Sequence, residues 1–178
     1  MNPEASAHLK QLLEGQRVLS VAVVIEGEAH IGLLPFAVLP DHTGVIVHVS
    51  SLAKHTRGLA TSGRAAVLIH QSEEAVGDPL QVPRLTFETE VRELRRDTPD
   101  YEQGKREYLA RFVDAAVTFS LGDFRLFELK FLRGRFVEGF ARALDITAED
   151  LRAMAPPELP RKHEEDPRAH RMWMIPRD

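Results

Sequence analysis

The sequence predicts a mostly β protein, a closed or nearly closed antiparallel barrel with flanking helices. Three observations carry this. About six short β-branched or alternating runs punctuate the chain. Few helical patterns lie between them, whereas a parallel sheet needs a crossover helix for each strand. Closure also removes the exposed edges that so many short strands would otherwise leave.

The elements follow in order. Residues 4–14 predict a short helix, with Leu9, Leu12 and Leu13 on one face and Gly15 at its end. Val18 to Ile25 is a β-branched run bounded by Gly27, a buried strand. A second strand spans about Ala29 to Leu39, and Pro40-Asp41 opens the next turn. Val45, Val47 and Val49 alternate with Ile46, His48 and Ser50 in a third. Ser50-Ser51 is placed to cap a helix from about Leu52 to Thr61, which Ser62-Gly63 closes.

Ala65 to His70 predicts a fourth strand, and the acidic stretch 72–83, with Gly77, Pro79 and Pro83, an exposed loop. Leu85, Phe87, Thr89 and Val91 alternate with polar residues in a fifth strand with one wet face. Asp97-Thr98-Pro99 opens a helix carrying Tyr101, Tyr108, Leu109 and Phe112. Two strands follow, about Phe124–Leu132 and Arg135–Phe140, with a turn expected at Arg133-Gly134. Thr147 caps a last short helix through about Met154. This divides the chain into an N-terminal helix (1–15), a barrel domain (16–154) and a Pro-rich tail (155–178). The tail holds Pro156, Pro157, Pro160, Pro167 and Pro176 together with His163 and His170. It reads as a disordered segment or as an arm laid on a neighbour.

Composition narrows the function classes. The 178 residues suit one domain with a tail, and 43% are apolar, enough for a substantial core. A net charge of −4 argues against a general nucleic-acid binder, and no apolar run is long enough to span a membrane. The start, Met1-Asn2-Pro3-Glu4, lacks a secretory pattern, and there is no cysteine for a disulfide, thiolate site or nucleophile. A cytoplasmic location is the expectation.

The segment Val47 to Arg57 carries the strongest chemical signal. It sets the hydroxyls of Ser50 and Ser51 and several N–H groups at a helix N-terminus, with Lys54, His55 and Arg57 in the first turns. Such an end carries partial positive charge and unpaired donors, so it suits a phosphate or a propionate. Serine caps and solvated basic helix faces are the ordinary alternative. Arg84, beside Pro83, is a further candidate for the same anion or simply a solvent-facing strand end. Asp123, after Gly122, is able to orient an imidazole from a barrel rim, or to bond its own backbone in a turn. The histidines show no zinc-binding spacing, and no Gly-x-Ser-x-Gly elbow is present. A lone histidine is still a sufficient protein ligand for haem iron, because the porphyrin supplies four nitrogens.

Taken together, four segments resemble a known family. They are Val49 to Leu59, Arg84-Leu85-Thr86-Phe87, Leu121 to Phe127 and Gly134 to Phe140. In this order they are similar to the haem-utilisation (HugZ/HutZ-like) branch of the pyridoxamine 5′-phosphate oxidase-like split barrels. The resemblance, over about residues 16–154, implies a six-stranded antiparallel split β-barrel. It also implies a homodimer with two equivalent sites between protomers. In flavin-binding relatives, the positions matching Ser50, Lys54 and His55 hold the phosphate of flavin mononucleotide (FMN). In the haem branch, the arginine matching Arg84 contacts haem. There a C-terminal histidine binds the iron, and a carboxylate matching Asp123 bonds that histidine across the dimer. His170 is favoured as the ligand, with His163 the alternative.

The leading expectation is a haem-binding protein of haem-iron utilisation, with haem-degrading monooxygenase activity driven by an unidentified electron donor. The alternatives are an FMN-binding oxidoreductase and a non-enzymatic haem carrier. A substrate-specific pyridoxamine phosphate oxidase fits less well, because its substrate-phosphate residues are not found near the C-terminus.

Overall fold

A computed structural model describes residues 1–156. The elements are α1 (Pro3–Gly15), β1 (Val18–Ile25), β2 (Glu28–Val38), β3 (Gly44–Ser50), α2 (Lys54–Ser62), β4 (Arg64–His70) and β5 (Arg84–Leu94). They continue with α3 (Pro99–Arg111), α4 (Ala116–Phe119), β6 (Phe124–Gly139), β7 (Arg142–Thr147) and α5 (Ala148–Met154). Short 3-10 turns cover Glu73–Ala75, Pro79–Gln81 and Val113–Ala115. No helix among the described residues is long and apolar enough to cross a membrane.

The strands form one antiparallel sheet in the order β3-β2-β1-β4-β5-β6-β7, and β3 also pairs with β6. That extra pairing closes β1 to β6 into a six-stranded barrel, with β7 outside the closure. β6 makes this possible through its length of 16 residues. Its first half, Phe124 to Lys130, pairs with β3, and its second half, from Arg133, pairs with β7. A bulge between Glu88 and Thr89 of β5 bends the sheet where β6 changes partner.

Local chemistry sets the joints. Glu26 and Gly27 both adopt positive φ, 54° and 85°, the backbone of a two-residue hairpin turn that glycine accommodates. Asn2 caps α1 by accepting from the Ala5 N–H at 2.7 Å, and Pro3 opens the helix. α1 then plugs the barrel with Leu9, Leu12 and Leu13, packed with Phe36, Phe127, Phe131 and Phe136. A second core lies outside the barrel wall, where Tyr101 and Tyr108 of α3 cover Ile46 of β3 and Leu126 of β6. β3 therefore has both faces covered: Val45, Val47 and Val49 face the barrel, and Ile46 and His48 face α3.

Three sequence expectations are corrected. No turn falls at Arg133-Gly134; β6 runs straight through. A Cβ on Gly134 would stand 2.2 Å from the Phe87 ring, so this glycine serves the close approach of an aromatic rather than a reversal. β7 was not expected at all. And α2 does not begin at Leu52 under a serine cap; it begins at Lys54, with Ala53 in the cap position and no side-chain cap bond.

Candidate functional site

The end of β3 and the turn before β6 meet at Ser50 and Asp123, partners 73 residues apart in sequence. The Ser50 hydroxyl donates to the Asp123 carboxylate at 3.1 Å, and its Oγ accepts from the Leu52 N–H at 3.2 Å. The Ser51 N–H donates to the Asp123 carbonyl at 2.7 Å. Thr56, 1% exposed, donates its hydroxyl to the Ser50 carbonyl at 2.7 Å. These bonds explain the late start of α2: the serine that would cap it is tied to the aspartate instead. They also show Asp123 using its carboxylate across the barrel rim, not on its own backbone.

α2 lies across the inner side of β1 and β2. Gly58 abuts Val23, where a Cβ would come 2.4 Å from Val23 Cγ2. The His55 ring sits on Gly32 of β2, where a Cβ would stand 2.3 Å from its Nδ1. Burial lowers the pKa of His55, so its ring is neutral at neutral pH. Arg57 donates to Glu26 at 2.6 Å, an exposed pair directed to the β1–β2 turn. Lys54 is exposed at the start of α2 and makes no ion pair among the described residues.

Ser50, Ser51 and Asp123 are therefore brought together, whereas Lys54 lines a cleft with His30 and Arg57 by the β1–β2 turn and His55 packs on Gly32. Arg84 is not part of this group within one protomer. It pairs with Val137 near the far end of β6, while Ser50 pairs with Phe124 at the start. Its guanidinium donates to the Val82 carbonyl at 3.1 Å. His163 and His170 lie outside the described residues.

The outward side of β1 and β2 is apolar and uncovered. Ile31 is 77% exposed, Leu33 65% and Val24 57%, and Leu52 beside Ser50 is 87% exposed. Val24, Ile31 and Leu33 share one face of the β1–β2 pair. Sequence reasoning passed over this face because β-branched strand residues read equally well as core.

It also passed over His48, 6% exposed, which stacks on Phe119 with ring centroids 3.8 Å apart. Its available signal was a lone polar side chain inside a run of valines.

Comparison with known proteins gives a consistent picture. No family model matches the chain. The chain is 27% identical over 145 residues to the haem oxygenase HutZ of Vibrio cholerae, covering 80% of this chain and 81% of that one. A haem-binding protein of Mycobacterium smegmatis superposes with a TM-score of 0.74 at 24% identity, over 86% of this chain. This chain spans 62% of that protein's length. A crystal structure of Vibrio cholerae HutZ, described there as a haem storage protein, superposes with a TM-score of 0.65 at 24% identity, over 70% of this chain and 88% of that one. The two structural likenesses speak to the fold. The same fold is shared with a protein of the pyridoxinephosphate oxidase family from Clostridium acetobutylicum, which superposes with a TM-score of 0.64 at 7% identity over 85% of this chain. In sequence, the chain is similar to the haem oxygenase HutZ over most of its length.

Proposed function

We propose that the chain binds haem for haem-iron utilisation, at a site completed by a second copy of the same chain. The observation that carries this reading is the Ser50–Asp123 pair. A carboxylate fixed by one hydroxyl keeps further acceptor capacity, and an aspartate so placed suits the N–H of an iron-bound imidazole. That bond fixes the ring's orientation and raises its basicity. His170 is the proposed ligand, with His163 the alternative.

The donor set fits haem better than FMN. A flavin phosphate needs several convergent cationic or N–H donors. Here Ser50 is bonded to Asp123, Arg57 to Glu26, and His55 is neutral against Gly32. Lys54 is the cation left at this end of α2, enough for a propionate. Arg84, from the other protomer, is the proposed second anion contact. The aliphatic face of Val24, Ile31 and Leu33 is the proposed surface against the second copy.

Bound haem supplies one-electron and O₂ chemistry. The proposed activity is oxidative haem degradation with electrons from an external donor. The part of the chain's own residues is to orient the imidazole, pair the propionates and shield the ring from water. Carriage without turnover is the alternative on the same site.

Parallel titrations with haemin and with FMN test the reading. The expected result is a sharp Soret band lost in His170→Ala and kept in His163→Ala. Tight flavin uptake without a defined haem spectrum would overturn it. Loss of the Soret band on adding ascorbate in air, under catalase, separates degradation from carriage.

A further inference from the structure

Among the described residues, three buried side-chain polar atoms have no hydrogen-bond partner: His42 Nδ1, His48 Nε2 and Arg111 Nε. Such atoms are rare and costly in native proteins, so each asks for an explanation. Two of the three belong to side chains that line one cavity of about 540 Å³, between α3, the 112–118 segment and the outer side of β3. The cavity adjoins the Ser50–Asp123 pair but contains neither residue.

Its polar groups have defined needs. The Thr118 hydroxyl gives its single proton to the Ala115 carbonyl at 2.8 Å. It therefore accepts from His48 Nδ1 at 3.2 Å, which places the ring proton on Nδ1 and a bare lone pair on Nε2. Burial, helped by Arg96, pushes His48 down to about 4, so the neutral tautomer is the form present at pH 7. The stack on Phe119 holds the ring in place. This nitrogen lacks a donor. Arg111 has the opposite need. Its Nη2 donates to the carbonyls of Glu14 and Gln16, and its Nε–H still lacks an acceptor. Arg17 adds a second guanidinium, stacked 4.8 Å from the centre of the Phe112 ring. Opposing charge comes from Asp114, exposed in the lining, and from Glu14, which acts on Arg111. Pro35, Tyr108 and Phe124 supply flat apolar walls.

We propose that this cavity binds a small planar carboxylate that also carries a hydroxyl. The carboxylate lies toward Arg111 and Arg17, and the hydroxyl donates to His48. Such an occupant offers a donor to His48 and an acceptor to Arg111, whose orphaned atoms are otherwise shut off from solvent, and buries its ring against the aromatic walls. The proposal stands whether or not haem binds at Asp123.

The test uses the full chain free of haem and flavin, with 4-hydroxybenzoate as the probe, read by calorimetry. One saturable site per chain is expected, with benzoate, which lacks the donor, about tenfold weaker. His48→Phe keeps the stack on Phe119 and removes the acceptor, so it brings the two ligands to equal affinity. Arg17→Gln weakens both. Lys54→Gln changes neither, which separates this cavity from the proposed haem site. Absence of saturable binding to the unaltered chain up to about 10 mM probe overturns the proposal. So does a preference for 4-hydroxybenzoate that survives in a folded His48→Phe protein, or affinity lost on Lys54→Gln.

Discussion

Ser50 donates its hydroxyl to the Asp123 carboxylate across 3.1 Å, tying the last residue of β3 to the turn that opens β6. The bond is charge-assisted and part-buried, so it is worth about 1–2 kcal/mol. Ser50→Ala and Asp123→Asn are each expected to lower unfolding stability by about that amount in urea. The double mutant is expected to lose little more than either single one. Simple addition of the two losses would show that the residues do not act as a pair.

Gly32 exists for His55. Gly32→Ala places a methyl 2.3 Å from His55 Nδ1 and forces the ring off β2. A loss of about 1–3 kcal/mol is expected by thermal or chemical denaturation. Adding His55→Ala is expected to recover part of it. A double mutant less stable than Gly32→Ala alone would contradict the contact.

Gly134 tests the course of β6. Gly134→Ala sets a Cβ 2.2 Å from the Phe87 ring, which itself stacks on Phe131 with centroids 4.0 Å apart. With neither ring free to yield, a loss of about 2–3 kcal/mol is expected. A neutral effect in urea denaturation would mean that the chain turns there after all.

That glycine also shows how far the sequence can be read. An Arg-Gly pair between two apolar runs looks like a turn, and nothing local distinguishes a reversal from a glycine that admits an aromatic ring from the next strand. β7 escaped for a related reason: only Ile146 of its six residues is buried, so it has no alternation to detect. The β-branched runs of β1, β3 and β4 were legible because each buries at least one full face. Ser50 and Asp123 each stood out within their own segments. Their pairing did not, because it depends on β3 closing onto β6. The Ser50 hydroxyl, read as part of a helix cap, is spent on that closure instead, and Ser51 joins it through its N–H.

Acid sensitivity should trace to buried histidines. His48 titrates at an ordinary 6.5 in the unfolded chain and at about 4 in the folded one. Between these values the unfolded chain takes up a proton that the folded chain refuses. Its contribution is complete above pH 6.5 and is lost as pH falls toward 4, by an amount on the order of 3 kcal/mol. Burial lowers His42 and His55 as well, in the same direction. Urea midpoints measured from pH 7 to 4.5 are expected to fall, and His48→Phe is expected to flatten much of that slope. An unchanged slope in the variant would assign the effect elsewhere.

The central claim is that Asp123, held by Ser50, orients the histidine that binds haem iron. Haemin titration of the unaltered chain and of Asp123→Asn, followed at the Soret band, bears on it most directly. The unaltered chain is expected to saturate with one haem per chain, and Asp123→Asn to bind about 10–100-fold more weakly. Equal affinity in the two proteins, or no saturable Soret band in the unaltered chain, would contradict the claim.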